Sequence, residues 1–216
     1  MIKYPSIALD LDGVVVNFHQ KLIDIYNERY PPKDGAPALT TKAIDCDLES
    51  LGTETSRRLI EIFNEDGYIL NLEPLPDSIH IVSQFQDLNY EVTICTAPAR
   101  DLNGLINPIS AKEKFEWISK FLPFWANDVI VTKHKHLVAT DILIDDYAFN
   151  IINWCQRNPN GIGYLIDQPW NQKFRHYPSN SVRGSLSGVS SFIEKYWCQE
   201  RGVFAYRLEE LQQGWQ

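Results

Sequence analysis

Residues 7–18, IALDLDGVVVNF, constrain this chain more than any other stretch: an apolar run ends in two aspartates one residue apart, followed by Gly13 and a second apolar run. Two carboxylates so placed have no packing reason to exist. In an extended segment alternate side chains point the same way, so Asp10 and Asp12 share a face at the carboxyl end of a buried strand. Like charges that close require a cation, a shared proton or both. Gly13 lets the backbone turn sharply, and ligands of open α/β sheets sit at this end of the strands. The stretch reads as a Mg²⁺ and phosphate site; its ordinary alternative is a strand running into an Asp-Gly turn.

The chain has 216 residues, enough for one sizeable core and a smaller insertion, and its 44% hydrophobic and 22% charged residues are those of an ordinary globular protein. A formal net charge of -8 argues against a surface that grips a nucleic-acid polymer. Cys46, Cys95, Cys155 and Cys198 have neither metal-ligand spacing nor the density of a disulfide scaffold, so they read as reduced and mostly buried. No apolar run is long enough to span a bilayer and no leader precedes the first strand, which leads to the expectation of a cytoplasmic protein.

Apolar spacing predicts a helix from Phe18 to about Tyr30, stopped by Pro31 and Pro32, and a second from Thr53 to Asn64, ended by Gly67. Both precede the rigid link Leu72 to Pro76 and a helix from Ser78 to Leu88. Residues 18–72 therefore read as a helical cap inserted after the first strand, with 1–17 and 73–216 forming the core. The core continues as strand and helix in alternation: Glu91–Thr96, a helix Lys112–Leu122, then Asp128–Thr132, Asp141–Ile144 and Tyr164–Asp167 as strands. That order implies an α/β fold, a doubly wound parallel sheet with helices on both faces. Val189 to Trp197 reads as helical, and Arg207 to Gln216 could pack on the body, pair with another subunit in a homodimer or stay loose.

In such a sheet the carboxyl ends of the strands share one edge. Asp10 and Asp12 close one strand, Thr96 another, and Asp145 and Asp146 a third, while Lys135 follows the strand that ends at Thr132. Singly, each is an ordinary turn, cap or solvated residue. Together they deliver four carboxylates, a hydroxyl and an ammonium to one crevice. His134 and His136 flank Lys135, but residues two apart diverge in an extended segment and no third soft ligand is near. Trp117 and the Tyr196-Trp197 pair read as core.

This constellation resembles the haloacid dehalogenase (HAD) superfamily of phosphohydrolases, with its DxDG, strand-end Thr, Lys and DD motifs in that order. More closely it resembles the 5'(3')-deoxyribonucleotidase family of cytosolic type C 5'-nucleotidases, from Ile7 to about Asn150, through DLDGVVVNF, IEIFNEDGYILNLEPLP, VTICTAP, EKFEWISK and VTKHKHLVATDILIDD. The C-terminal third matches loosely. Thr96-Ala97-Pro98 stands where the family commonly has Thr-Ser-Pro, and residues 40–46 lack an expected aromatic pair.

The resemblance implies a HAD-like, Rossmann-type core and a Mg²⁺-dependent phosphomonoesterase acting on a nucleotide. It implies Asp10 as nucleophile and Asp12 as general acid/base. Mg²⁺ would be held by Asp10, Asp12 through its backbone carbonyl, Asp145 and Asp146; Thr96, Lys135 and Arg100 would hold the phosphoryl oxygens. Phe18, Phe63 and Tyr68 would line the substrate pocket, against the alternative that they pack the cap's own core. Rival readings are a phosphatase of another small phosphomonoester, such as a sugar phosphate or nucleic-acid terminal phosphate, and a phosphate-binding protein without turnover; a binder has no need of both Asp10 and Asp12.

Overall fold

The computed structural model describes residues 5–32, 37–44, 51–174 and 177–195. Six parallel strands form one sheet: β1 Ser6–Leu9, β2 Glu91–Thr96, β3 Val129–Val131, β4 Ile142–Asp145, β5 Ile162–Ile166 and β6 Ser181–Gly184, in the order β3-β2-β1-β4-β5-β6. The chain builds outward from β1 on one side and then returns to build from β4 on the other. The direction reverses between β1 and β4, where open sheets leave a crevice at their carboxyl edge.

Seven helices complete the described residues: α1 Phe18–Arg29, α2 Thr41–Ile44, α3 Thr53–Phe63, α4 Ser78–Asp87, α5 Pro108–Phe121, α6 Ala148–Arg157 and α7 Val189–Ile193. Strand alternation assigns the two faces. Ile7, Leu9, Ile94, Ile144 and Tyr164 join one cluster with Val82, Trp117 and Val189, whereas Ala8, Cys95, Leu143 and Leu165 pack on Ile151, Trp154 and Cys155 of α6. Cys95 and Cys155 are free and buried, as expected; Cys46, Cys198, Tyr196, Trp197 and the tail after 195 lie outside the described residues.

The short helix α2, α6 and β6 have no counterpart among the elements expected from the sequence, and the start of α5 differs. The helix expected from Lys112 starts four residues earlier, because Asn107 caps it, its Oδ1 accepting from Ile109 N at 2.9 Å, and Pro108 opens the first turn. α6 begins at Ala148, two residues past Asp146, and Tyr147 before it supplies no side-chain cap to mark its start. β6 is a four-residue edge strand too short for a pattern.

Helices α1 and α3 are tied to the sheet as one apolar body. Leu22, Leu59, Ile62 and Leu72 belong to the same cluster as Ile7 and Leu9. The two connections run side by side: Asn17 N donates to Glu73 O at 2.9 Å, and Leu75 N to Val15 O at 2.7 Å. Glu113, 5% exposed on α5, accepts the backbone N–H groups of Gly67, Ile69 and Leu70, and Trp117 Nε1 donates to Leu72 O at 2.8 Å. Glu113→Ala takes the acceptor from three backbone donors, of which Ile69 N is buried, and urea unfolding should show a loss of about 1–3 kcal/mol. A loss under about 0.5 kcal/mol, the size of an ordinary surface change, would mean that the 67–70 turn does not depend on this carboxylate.

Candidate active site

The crevice beside β1 collects most of the residues that the sequence singled out. Asp10 follows β1, its N–H donating to Ile144 O at 3.0 Å, and Asp145 ends β4 with Asp146 next in line. One oxygen from each of Asp10, Asp145 and Asp146 lies within 4.8 Å of the other two, and all three residues are buried. Lys135 reaches the same point from the turn after β3, with Nζ 2.7 Å from Asp10 Oδ1 and 2.7 Å from Asp145 Oδ2. Asp145 also accepts from Tyr147 N at 2.8 Å and Asn150 Nδ2 at 3.0 Å.

Burial pushes the Asp10 carboxyl up to about 7; Lys135 pulls it down, and Asp145 and Asp12 push it further up. Burial likewise raises Asp146 well above the usual carboxylate range, with repulsion from Asp145 and Asp10 adding to it. Lys135 loses hydration by burial, yet Asp10 and Asp145 outweigh that loss and hold its ammonium firmly protonated. One ammonium against three enclosed acids leaves negative charge in surplus. An all-oxygen donor set with that surplus suits a hard divalent cation, so the residues present fit a metal ion. Among the described residues no other group of three His, Cys, Asp or Glu converges this way.

Asp12 faces a different partner. Its Oδ2 pairs with Lys114 Nζ, which also donates to the Thr96 hydroxyl at 2.8 Å. Lys114 is 1% exposed and was not singled out from the sequence. The signal was there: Ser110, Glu113 and Lys114 occupy the same buried face of α5 as Trp117 and Ile118, and a lysine on an apolar face needs an acid.

Other expected residues lie around this centre. Arg100 turns its guanidinium to Gly104 O at 2.7 Å, within its own loop, and its carbonyl accepts from Asn64 Nδ2 at 2.8 Å. Phe18, Phe63 and Tyr68 form one aromatic cluster, with Phe18 5.8 Å from Phe63 and 5.5 Å from Tyr68 between ring centroids. Tyr68 is buried and donates to Phe18 O at 2.9 Å, while Phe18 and Phe63 keep part of their surface open. Burial, with Asp12 adding to it, raises the Tyr68 phenol well above its usual range. His134 and His136 do not diverge as the extended-segment argument required. Residues 135–137 form a 3-10 turn, and the two rings meet edge to face at 5.6 Å.

Gly13 is required by both conformation and space. Its φ is +74°, and a Cβ there would lie 2.1 Å from Asp146 Oδ2 and 2.8 Å from Trp170 Cζ2. Trp170 Nε1 donates to Asp146 Oδ2 at 2.7 Å, a contact with no signal in the sequence.

Solved structures share this architecture. A HAD-like family hydrolase from Streptococcus pneumoniae superposes with a TM-score of 0.55 at 13% identity, over 89% of this chain and 100% of that one. A hydrolase from Pseudomonas syringae does so with a TM-score of 0.52, also at 13% identity, over 89% and 99%. These likenesses define the class of fold, an α/β sheet of the haloacid dehalogenase type, with acids from β1 and β4 and a lysine meeting at its carboxyl edge.

Sequence comparison narrows the class. The profile of the family "5' nucleotidase, deoxy (Pyrimidine), cytosolic type C protein" matches residues 4–183, and the chain belongs to that family. It is 26% identical to the human cytosolic 5'(3')-deoxyribonucleotidase over 150 residues, covering 68% of this chain and 72% of that protein. It is also 26% identical to the human mitochondrial 5'(3')-deoxyribonucleotidase over 144 residues, 65% of this chain and 61% of that one. No helix among the described residues is long and apolar enough to cross a membrane.

Proposed function

We propose that this protein hydrolyses deoxynucleoside or nucleoside monophosphates to nucleoside and phosphate in a Mg²⁺-dependent reaction, in the cytoplasm, through an aspartyl phosphate on Asp10. The observation that carries the reading is the convergence of Asp10, Asp145 and Asp146 on one point with Lys135, while Asp12 stands apart on Lys114. Two neighbouring carboxylates are thus held by different partners, which suits them to different work.

Asp10, Asp145 and Asp146, with the backbone carbonyl of Asp12, would hold Mg²⁺. Bound there, it supplies positive charge against the phosphoryl oxygens and the clustered acids. Asp10 attacks phosphorus with a carboxylate oxygen, and the P–O bond to the nucleoside breaks as Asp12 protonates the leaving oxygen. Water then attacks the aspartyl phosphate, Asp12 takes its proton, and phosphate leaves with Asp10 restored. Lys135, Lys114 and the Thr96 hydroxyl supply fixed donors to the phosphoryl oxygens as their charge changes. Arg100, on its loop beside α3, would add a further basic contact to the phosphate.

Residues 18–72 act as the cap over this site, and a cap so placed excludes water from it. Phosphate release should appear with a panel of nucleoside 5'- and 3'-monophosphates in Mg²⁺ and vanish in EDTA. Full activity without a divalent metal would sink the mechanism, and turnover of sugar phosphates alone would sink the nucleotide assignment.

In this reading Phe18 and Phe63 stack on the base and Tyr68 backs them. Base stacking is worth about 1–3 kcal/mol per aromatic, so Phe63→Ala should raise KM for a nucleotide roughly tenfold or more. KM for p-nitrophenyl phosphate, which has no base, should change far less. Equal losses on both substrates with a lower Tm would return Phe63 to a packing role.

A further inference from the structure

We propose that Trp170 is a positioning residue for Asp146, and that through it the first turn of α1 sets how tightly the acidic site holds a divalent cation. The inference rests on the reading of Asp10, Asp145 and Asp146 as metal ligands. The indole N–H and Asp146 Oδ2, 2.7 Å apart, are both on buried side chains. That bond engages one carboxylate oxygen and fixes the plane in which the group lies. A ligand held this way does not have to be ordered when the cation arrives.

The segment carrying Trp170 is bonded to the site at two further points and to the end of β5 at a third. Asn171 Nδ2 donates to Asp146 O and to Ile166 O, each at 2.8 Å, and Gln168 Nε2 donates to Gly13 O at 2.6 Å. Gly13 leaves no room for Asp146 or the indole to shift towards the first strand, since even a Cβ would overlap both. The turn thus grips the second acid of the DD pair and the glycine of the DxDG turn together. A tryptophan needing only a partner for its N–H could have used a backbone carbonyl, as Trp117 and Trp154 do.

The other side of the indole meets the cap. His19, the second residue of α1, stacks on Trp170 with centroids 4.0 Å apart and ring planes at 25°. Its Nδ1 is enclosed without a hydrogen-bond partner, so the imidazole is held there by its face. α2 packs on the same turn, with Ile44 buried. A chain of contacts therefore runs from α1 through two stacked rings to a metal ligand.

Calorimetric titration of the metal-free protein with MgCl2 and MnCl2 tests this without turnover. Trp170→Phe keeps a ring and loses the N–H. Its Kd should rise about 10- to 100-fold, with the Tm in EDTA close to that of the unaltered protein. Gln172→Ala loosens the same turn at its bonds to Asp167 and Gln168 O without touching Asp146, and should leave Kd unchanged. His19→Leu, which removes the stacked face, should raise Kd in the same direction and carries the test if Trp170→Phe does not fold. An unaltered Kd in Trp170→Phe, or an equal rise in Gln172→Ala, overturns the positioning role; an unaltered Kd in His19→Leu removes α1 from the chain. If the unaltered protein binds neither cation, the metal reading itself falls, a result distinct from all of these.

Discussion

Asp10→Asn should abolish turnover, by roughly 10⁴-fold or more, and leave no phosphoenzyme to trap, because the amide has no carboxylate to attack phosphorus. Asp12→Asn should behave differently. It leaves Asp10, Lys135, Asp145 and Asp146 in place and removes the group that moves protons, together with the carboxylate paired with Lys114. With p-nitrophenyl phosphate, whose leaving group needs no proton, Asp12→Asn should still label Asp10 with phosphate while failing on a nucleotide. Acid quenching after mixing, followed by mass measurement of the intact chain, reads both results. Near-normal turnover in Asp10→Asn, or labelling that survives in Asp10→Asn and disappears in Asp12→Asn, would reverse the roles.

Lys135→Met should cost both activity and stability, and the two losses have one cause. The ammonium is 2.7 Å from an oxygen of Asp10 and 2.7 Å from one of Asp145, and all three side chains are buried. Removing it leaves the acids facing each other with no positive charge between them, a change that typically costs about 3–5 kcal/mol for a buried pair broken on one side. Thermal unfolding in EDTA should show a large drop in Tm, and added Mg²⁺ should recover part of it, since the cation and the ammonium oppose the same charges. Lys114→Met is the comparison. It unpairs Asp12 and Thr96 and leaves the bonds of Lys135 to Asp10 and Asp145 in place, so its Tm should respond much less to Mg²⁺. Equal recovery by Mg²⁺ in the two variants would show that the lysines do not serve separate groups of acids.

The chemistry-bearing residues were legible in the sequence because they sit where a parallel sheet must deliver them. Asp10, Thr96 and Asp145 end or follow strands whose apolar runs mark them, and a parallel register puts those ends on one edge. The same local patterns predicted α1, α3 and α4 within two residues. Lys114 was harder, since its helix reads as amphipathic and its partner Asp12 lies 102 residues away. Seeing it required asking why the buried face of α5 carries charge at all.

What the sequence by itself determined was the fold class and the set of acids and lysine at the strand ends, since both follow from short-range periodicity repeated along the chain. The tertiary structure alone decided which acid meets which cation, that Phe18 and Phe63 share a cluster, that Arg100 turns to Gly104, and that Trp170 holds Asp146. Those choices depend on pairing enclosed polar groups across the packed interior. Burial makes each unpaired charge or donor costly, and only the three-dimensional packing shows which distant group lies near enough to satisfy it.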